Sequence, residues 1–138
     1  MREILFKGKR VDNGEWTEGY FFKSWNKVFL LWGMTGDSPN MEEVIPETVG
    51  QYTGLTDKNG KKIFEGDIIS AVTLDTGKEQ RAVIGFGNFI DENNDDEYMG
   101  FFIEFDGIKT TITQLSMEEC KNRIEVIGNK YDNKEKEK

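Results

Sequence analysis

The chain has 138 residues and a net charge of −8, with 26 acidic and 18 basic side chains, one cysteine and no histidine. Without histidine there is no Ser-His-Asp or Cys-His nucleophile system and no zinc site with imidazole ligands, and one cysteine cannot form an internal disulfide. The acidic balance argues against a protein that coats the nucleic-acid backbone, where a basic excess is expected.

The first third of the chain predicts short strands separated by turns. Residues 2–8 carry apolar side chains between charges and indicate a first strand. Residues 12–14, Asp-Asn-Gly, favour a reversal because asparagine and glycine tolerate positive φ. Aromatic-rich strands are expected at 15–22 and 25–32. Residues 33–41 are predicted to be a loop, and a hinge between an N-terminal hairpin layer and the rest.

The centre and the end of the chain predict further short strands. They are expected at residues 49–55, 62–64, 68–74, 79–90, 98–105, 108–113 and 123–128. Turns are indicated at 57–60 and 65–67, and a two-residue hairpin turn at 106–107. Residues 116–119 match a capping box, so one short helix is predicted at 116–122.

This element order predicts an all-β, mainly antiparallel fold, a barrel or a sandwich, because strands and helices do not alternate. We expect one domain over residues 1–132, with a hairpin layer at 1–32, the loop at 33–41 and a central barrel at 42–129. Residues 133–138 contain no apolar side chain and are expected to form a disordered tail. No apolar run reaches the ~18 residues of a membrane helix, and no signal-peptide core is present, so the host cytoplasm is expected.

A long central block carries a family resemblance. Residues 47–69 read ETVGQYTGLTDKNGKKIFEGDII, the chain starts with REILFKGK at 2–9, and it ends with VIGN at 126–129 followed by Tyr131. This pattern resembles the YopX family of bacteriophage and prophage proteins. The resemblance implies a small, phage-encoded, cytoplasmic protein with a pseudo-barrel made from a folded mixed sheet. The family is functionally uncharacterised, so the resemblance implies no catalytic residue and no cofactor.

The glycine-rich residues 50–69 have two interpretations. In the structural one, which we favour, the glycines supply turns, Asp57 and Asn59 hydrogen-bond their own turn, and Asp67 accepts backbone N–H bonds. In the functional one, two carboxylates perform acid/base chemistry or hold a hard cation. That candidate surface site consists of Gln51, Tyr52, Glu65 and Asp67.

Most of the net charge lies in one stretch. Residues 82–108 contain seven acidic and no basic side chains, and so carry −7 of the −8. The candidate docking loop within this stretch contains Asp91, Glu92, Asp95, Asp96 and Glu97. The favoured interpretation is a hairpin loop kept soluble by its charge. The alternatives are a patch that docks on a basic partner, an imitation of DNA phosphates, and a calcium site, although the EF-hand ligand spacing is missing.

The N-terminal aromatic residues have two further interpretations. They are Trp16, Tyr20, Phe21, Phe22, Trp25, Phe29 and Trp32. Such residues can stack nucleobases, but core packing or an oligomer interface is favoured here.

We therefore predict a non-enzymatic phage accessory protein that acts through protein–protein contacts, as a homo-oligomer or with a host or phage protein. No cofactor, metal or membrane partner is expected. The alternative is a small nucleic-acid-associated barrel of the OB type, which the charge disfavours. The third hypothesis is a metal-dependent hydrolase that uses Glu65 and Asp67.

Overall fold

The computed structural model describes residues 4–72, 77–92, 95–112 and 122–132. Over these ranges the chain is built almost entirely from β-strands, with one 3-10 turn at Pro46–Thr48. The strands are β1 (Phe6–Lys9), β2 (Trp16–Ser24), β3 (Lys27–Thr35), β4 (Ser38–Val44), β5 (Gly50–Thr56), β6 (Lys62–Phe64), β7 (Asp67–Val72), β8 (Glu79–Ile90), β9 (Glu97–Phe105), β10 (Ile108–Thr111) and β11 (Ile124–Asn129).

The strands form two antiparallel sheets, which confirms the predicted all-β, mainly antiparallel class. Their orders are β4-β3-β2-β1-β5-β6 and β10-β9-β8-β7-β11. The expected pseudo-barrel of a mixed sheet is corrected, because the sheets do not close into a barrel. Over the described ranges, both sheets are antiparallel and contain no parallel pairs, because short turns join most successive strands and such turns permit only antiparallel neighbours. The predicted helix at 116–122 lies outside the described residues except for Asn122, which is in a turn.

The chain divides into two compact units, Met1–Gly54 and Leu55–Lys138. The single domain over residues 1–132 stays a prediction. The first unit contains β1 to β4 and most of β5. Its core is small: Val28, Leu30 and Val44 are buried together, and Phe6 and Val49 pack against them. Successive residues of β3 alternate between this core and the opposite face, as the two-residue period of a strand requires.

Residues 33–41, predicted to be a loop and a hinge, form a β-hairpin instead. β3 continues to Thr35, β4 begins at Ser38, and Thr35 pairs with Ser38. Across the hairpin, the Thr35 hydroxyl donates a hydrogen bond to Asn40 Oδ1 at 2.9 Å. Pro39 is compatible with a strand here because β4 is at the edge of its sheet. The sequence concealed this strand, since β4 contains no β-branched or aromatic residue before Val44.

The second unit has the larger core. One cluster of its buried residues consists of Ile63, Ile69, Ile84, Ile124 and Val126. They come from β6, β7, β8 and β11, so strands far apart in the sequence meet in this core. The predicted bounds of β6 and β8, and the turn at residues 106–107 between β9 and β10, are confirmed.

Two glycines face each other in the hairpin of β8 and β9. Gly87 and Gly100 are cross-strand partners, and their φ values are 151° and 155°, a region that side chains with a Cβ rarely adopt. We call the described residues from this glycine pair to the end of the hairpin, 87–92 and 95–100, the arm.

A first prediction concerns Gly19 on β2. A Cβ built at this position would lie 2.5 Å from the carbonyl oxygen of Leu31. Because the obstacle is backbone in a neighbouring strand, we expect Gly19→Ala to lower the free energy of unfolding by about 1–3 kcal/mol in urea denaturation. Gly128→Ala is the control, since a Cβ there meets no heavy atom within 4 Å. Equal losses for the two variants would contradict the prediction.

Candidate functional site

The four residues of the predicted surface site are divided between the two units. Gln51 and Tyr52 lie on β5 in the first unit, where Tyr52 is buried and Gln51 partly buried. Glu65 and Asp67 lie on either side of Gly66 in the second unit, Glu65 in the turn after β6 and Asp67 at the start of β7. Glu65 is partly buried, whereas Asp67 has no exposed surface. The Asp67 carboxylate is therefore not presented to solvent.

Both carboxylate oxygens of Asp67 hold other parts of the second unit. Oδ2 accepts the backbone N–H of Phe64 at 2.8 Å, and Oδ1 accepts the side-chain amide of Asn129 at 2.9 Å. The backbone of Gly66 adds two bonds, donating to the Ile84 carbonyl and accepting from Lys130 N. This turn thus connects β7, β8 and the end of β11, and the expected backbone bond to Asp67 is confirmed.

Asp57 plays a similar part in the turn between β5 and β6. Its Oδ1 accepts the backbone N–H groups of Asn59 and Lys61 at 2.8 and 2.9 Å, and its Oδ2 accepts that of Val126 at 3.0 Å. Burial by itself would raise the pKa of Asp57, but the hydrogen bonds from Val126, Lys61 and Asn59 outweigh it and hold the pKa below its ordinary value. The predicted role of Asp57 within its own turn is confirmed, and its bond to β11 is an addition.

The acidic loop is attached to the edge of a sheet. Asp91 is only 2% exposed, and its Oδ2 accepts the backbone N–H of Thr111 on β10 at 2.9 Å. Next to it, the N–H of Glu92 donates to the carbonyl of Lys109 at 3.3 Å. Within the loop, Asp91 N donates to the carbonyl of Asp96 at 2.9 Å. The loop therefore covers β10, an edge strand, and Asp91 does not belong to the exposed acidic surface.

The rest of the loop presents charge beside apolar surface. Ile90 and Met99 are 61% and 66% exposed. Ile90 pairs with Glu97 across the hairpin, and Asn88 pairs with Met99. Paired residues project to the same side of an antiparallel hairpin, and so do alternate residues of one strand, so Ile90, Glu97 and Met99 share one face. We define the arm tip as these three residues together with the exposed acidic side chains Glu92, Asp95 and Asp96.

The strongest candidate for a functional surface is one face of the first unit. Tyr20 is the cross-strand partner of Leu31, Phe22 of Phe29, and Leu31 of Met41. These side chains share a face opposite to Val28 and Leu30, and Trp16 joins them by the alternation of β2. We define this outer face as Trp16, Tyr20, Phe22, Phe29, Leu31 and Met41.

The outer face is exposed and apolar. Tyr20 is 62% exposed, Phe22 47% and Met41 46%. The rings of Phe22 and Phe29 contact each other with centroids 6.3 Å apart. Core packing is therefore excluded for Tyr20 and Phe22. The sequence carries a signal for this arrangement, since the consecutive aromatics at residues 20–22 must place rings on both faces of β2.

Charged side chains lie along the outer face. The ammonium groups of Lys7 and Lys9 lie 4.8 and 5.6 Å from the centroid of Trp16, a cation–π arrangement. At the other end, Lys27 Nζ is 3.9 Å from Glu43 Oε1. Cations thus stand at both ends of an apolar surface.

The turn between β2 and β3 adds a recess at the Lys27 end. A cavity of about 390 Å³ is lined by Ser24, Trp25, Asn26, Lys27 and Phe29. Trp25 is 93% exposed and has a φ of 56°, a conformation that is strained for a bulky residue. An apolar group entering this cavity would contact both Trp25 and Phe29.

The described ranges contain neither a metal centre nor a membrane-spanning helix. In those ranges, no group of three or more Cys, Asp or Glu side chains is placed to hold a metal ion. No helix within the described part of the chain has the length and apolar content to cross a membrane.

Comparison with known proteins identifies the family. The family model described as YopX protein matches residues 24–136, which include the whole central block. The chain belongs to the YopX family. It is also similar in structure to protein EF1440 from Enterococcus faecalis, with 23% identity, a TM-score of 0.52 and complete coverage of both chains. At that identity the likeness shows the fold alone. No curated protein matches the chain.

A second prediction concerns the charge of Asp57. Its pKa is lower in the fold than in the unfolded chain, so its ionised form stabilises the YopX fold at neutral pH. We expect Asp57→Asn to cost about 1–3 kcal/mol of unfolding free energy at pH 7, because an amide N–H₂ replaces one hydrogen-bond acceptor. The difference between wild type and variant should shrink as the pH falls below about 4, because the unfolded chain, in which the pKa of Asp57 is higher, then binds a proton before the fold does.

Urea denaturation at a series of pH values measures this difference. Asp37→Asn is the control, since Asp37 is exposed in a turn, and we expect a change below about 0.5 kcal/mol. A loss for Asp57→Asn that is equally large at pH 3 and pH 7 would show that the carboxylate charge is not responsible.

Proposed function

We propose that this YopX-family chain is a non-enzymatic accessory protein of a phage or prophage, acting in the host cytoplasm through protein–protein contact. The outer face is the contact surface, and the chain forms homo-oligomers through it. The observation that carries the proposal is the exposure of Tyr20, Phe22 and Met41 together on one face of a sheet.

Physical chemistry supports this use of the outer face. Contiguous exposed apolar surface on a monomer is a typical feature of interaction sites, and aromatic residues and methionine are enriched at interfaces. The side chains project from paired strands, so little conformational entropy is lost when a partner covers them. The lysines at the ends provide the polar rim that interfaces of this kind have.

The third prediction tests assembly through the outer face. Removing the Phe22 ring takes away apolar area that a partner would cover. We expect Phe22→Ser to weaken self-association at least tenfold, about 1.4 kcal/mol, as measured by light scattering over a concentration series.

Ile127→Ser is the control. Ile127 lies on β11 and is 42% exposed, close to the 47% of Phe22. Equal weakening by both substitutions would contradict a specific role of the outer face. If the wild-type chain is a monomer at tens of micromolar, the homo-oligomer is excluded, and the same variants are then compared as bait in host-cell extract.

Nucleic-acid binding is the second candidate function, favoured by one observation. Lys7 and Lys9 lie over Trp16, next to the exposed Tyr20 and Phe22, and such a combination of cations and aromatics can track a single strand. Two acidic residues on the outer face argue against nucleic-acid binding. Glu18 is the cross-strand partner of Lys7, and Glu43 is that of Phe29. The cationic excess there is therefore small.

The fourth prediction separates the two functions. We expect no binding of a fluorescent single-stranded oligonucleotide at about 20 mM salt, where electrostatic attraction is strongest. Fluorescence polarisation measures this. If the wild type binds the oligonucleotide and a Lys7→Glu/Lys9→Glu variant does not, the outer face is a nucleic-acid-binding surface and the protein–protein proposal for it fails.

A further inference from the structure

We infer that the partner of the outer face is the arm tip of a second copy of this chain, so that copies associate head to tail. The inference rests on the proposed function of the outer face and names the surface that covers it.

The arm tip has the chemistry of a complementary surface. Ile90 and Met99 present apolar side chains that are more than half exposed. Glu97 shares their face, and Glu92, Asp95 and Asp96 lie on the exposed loop beside them. The tip therefore combines an apolar centre with an anionic rim.

The arm tip is also held in place before any contact is made. The Asp91 carboxylate accepts Thr111 N, and Glu92 N donates to the Lys109 carbonyl, so the loop is anchored to β10. A surface whose backbone is already fixed loses little conformational entropy on binding. The same bonds fix the backbone from which Glu92 and Asp96 project.

The outer face offers the matching groups. Its aromatic centre accepts apolar side chains, and the cavity between Trp25 and Phe29 is a recess for one of them. Lys27 borders this cavity, and Lys7 and Lys9 stand at the far end over Trp16. These lysines border the apolar centre together with Glu18 and Glu43, so the outer face turns a small cationic excess toward the anionic arm tip.

Contacts between like surfaces fit these features less well. Two arm tips in contact would bring four carboxylates against four others, and like charges in an interface are strongly unfavourable. Two outer faces in contact would leave Ile90 and Met99 of both copies in water. The head-to-tail contact covers both apolar surfaces and pairs opposite charges, and such contacts join copies into a ring or an open chain.

Complementation between variants tests this inference. The face variant is Phe22→Ser, and the arm variant is Ile90→Ser/Met99→Ser; all three side chains are exposed, so we expect both variants to fold. Sedimentation velocity is measured on the wild type, on each variant alone and on an equimolar mixture, after urea denaturation has confirmed their folding. Ile127→Ser, on β11, serves again as the control, since β11 belongs to neither surface.

A head-to-tail contact predicts that each variant alone is a monomer and that the mixture forms a heterodimer. In that pair, the intact outer face of the arm variant binds the intact arm tip of the face variant. Wild-type assembly should also weaken at least tenfold between about 50 and 500 mM salt, since opposite charges pair across the contact.

Three outcomes would overturn the inference in distinguishable ways. If the arm variant assembles like the wild type while the face variant does not, the outer face binds another surface, and the proposed function stands without this partner. If both variants are monomers and their mixture is too, the contact is not head to tail. If the face variant assembles like the wild type, the proposed function fails with the inference.

Discussion

Three buried carboxylates hold the second unit together. Asp57, Asp67 and Asp91 each begin or end a turn, and each is at most 2% exposed. An ionised carboxylate without partners is too costly to bury, so each depends on the N–H groups that it accepts. At least one of those groups belongs to a distant part of the chain: 69 residues away for Asp57, 62 for Asp67 and 20 for Asp91. The carboxylates are satisfied only when those strands are in place.

The position of β11 is a consequence of this constraint. The turn of Asp57 binds Val126 N, and the turn of Asp67 binds the amide of Asn129, so carboxylates fasten the last strand at its middle and at its end. β11 pairs with β7 and places Ile124 and Val126 in the core. The same principle acts at Asp91, which fastens the acidic loop over β10. Buried carboxylates that accept N–H groups from distant segments thus hold β11 in register, help to enclose the core and anchor the loop of the arm tip to β10.

The first unit is built differently, and this difference explains where the contact surface lies. One described cluster of its core consists of three buried residues, and the alternation of β2 and β3 sends a comparable set of large side chains to the opposite face. Tyr20 and Phe22 on that face remain in water. A surface of this kind is stable in the monomer because β-pairing, rather than side-chain burial, holds the strands together. Its apolar area is then available for association.

The local sequence determined several of the chain reversals of this protein. Turn chemistry at residues 57–60, 65–67 and 106–107 predicted those reversals correctly, because glycine and carboxylate side chains act on their own backbone. The central block also determined the family, since its residues form the turns of Asp57 and Asp67. β4 was missed, because it is held as a strand by pairing with β3 and not by its own propensity.

Only the tertiary structure decided which side chains are covered. The sequence placed Asp91 among five equivalent acids, yet in the fold Asp91 is buried and the other four are exposed, because Thr111 of a different hairpin supplies its N–H partner. The aromatics of β2 were known from the sequence, but whether a second layer covers them is not encoded in their spacing. Alternation fixes which residues share a face, and only the packing of distant segments decides which face meets water.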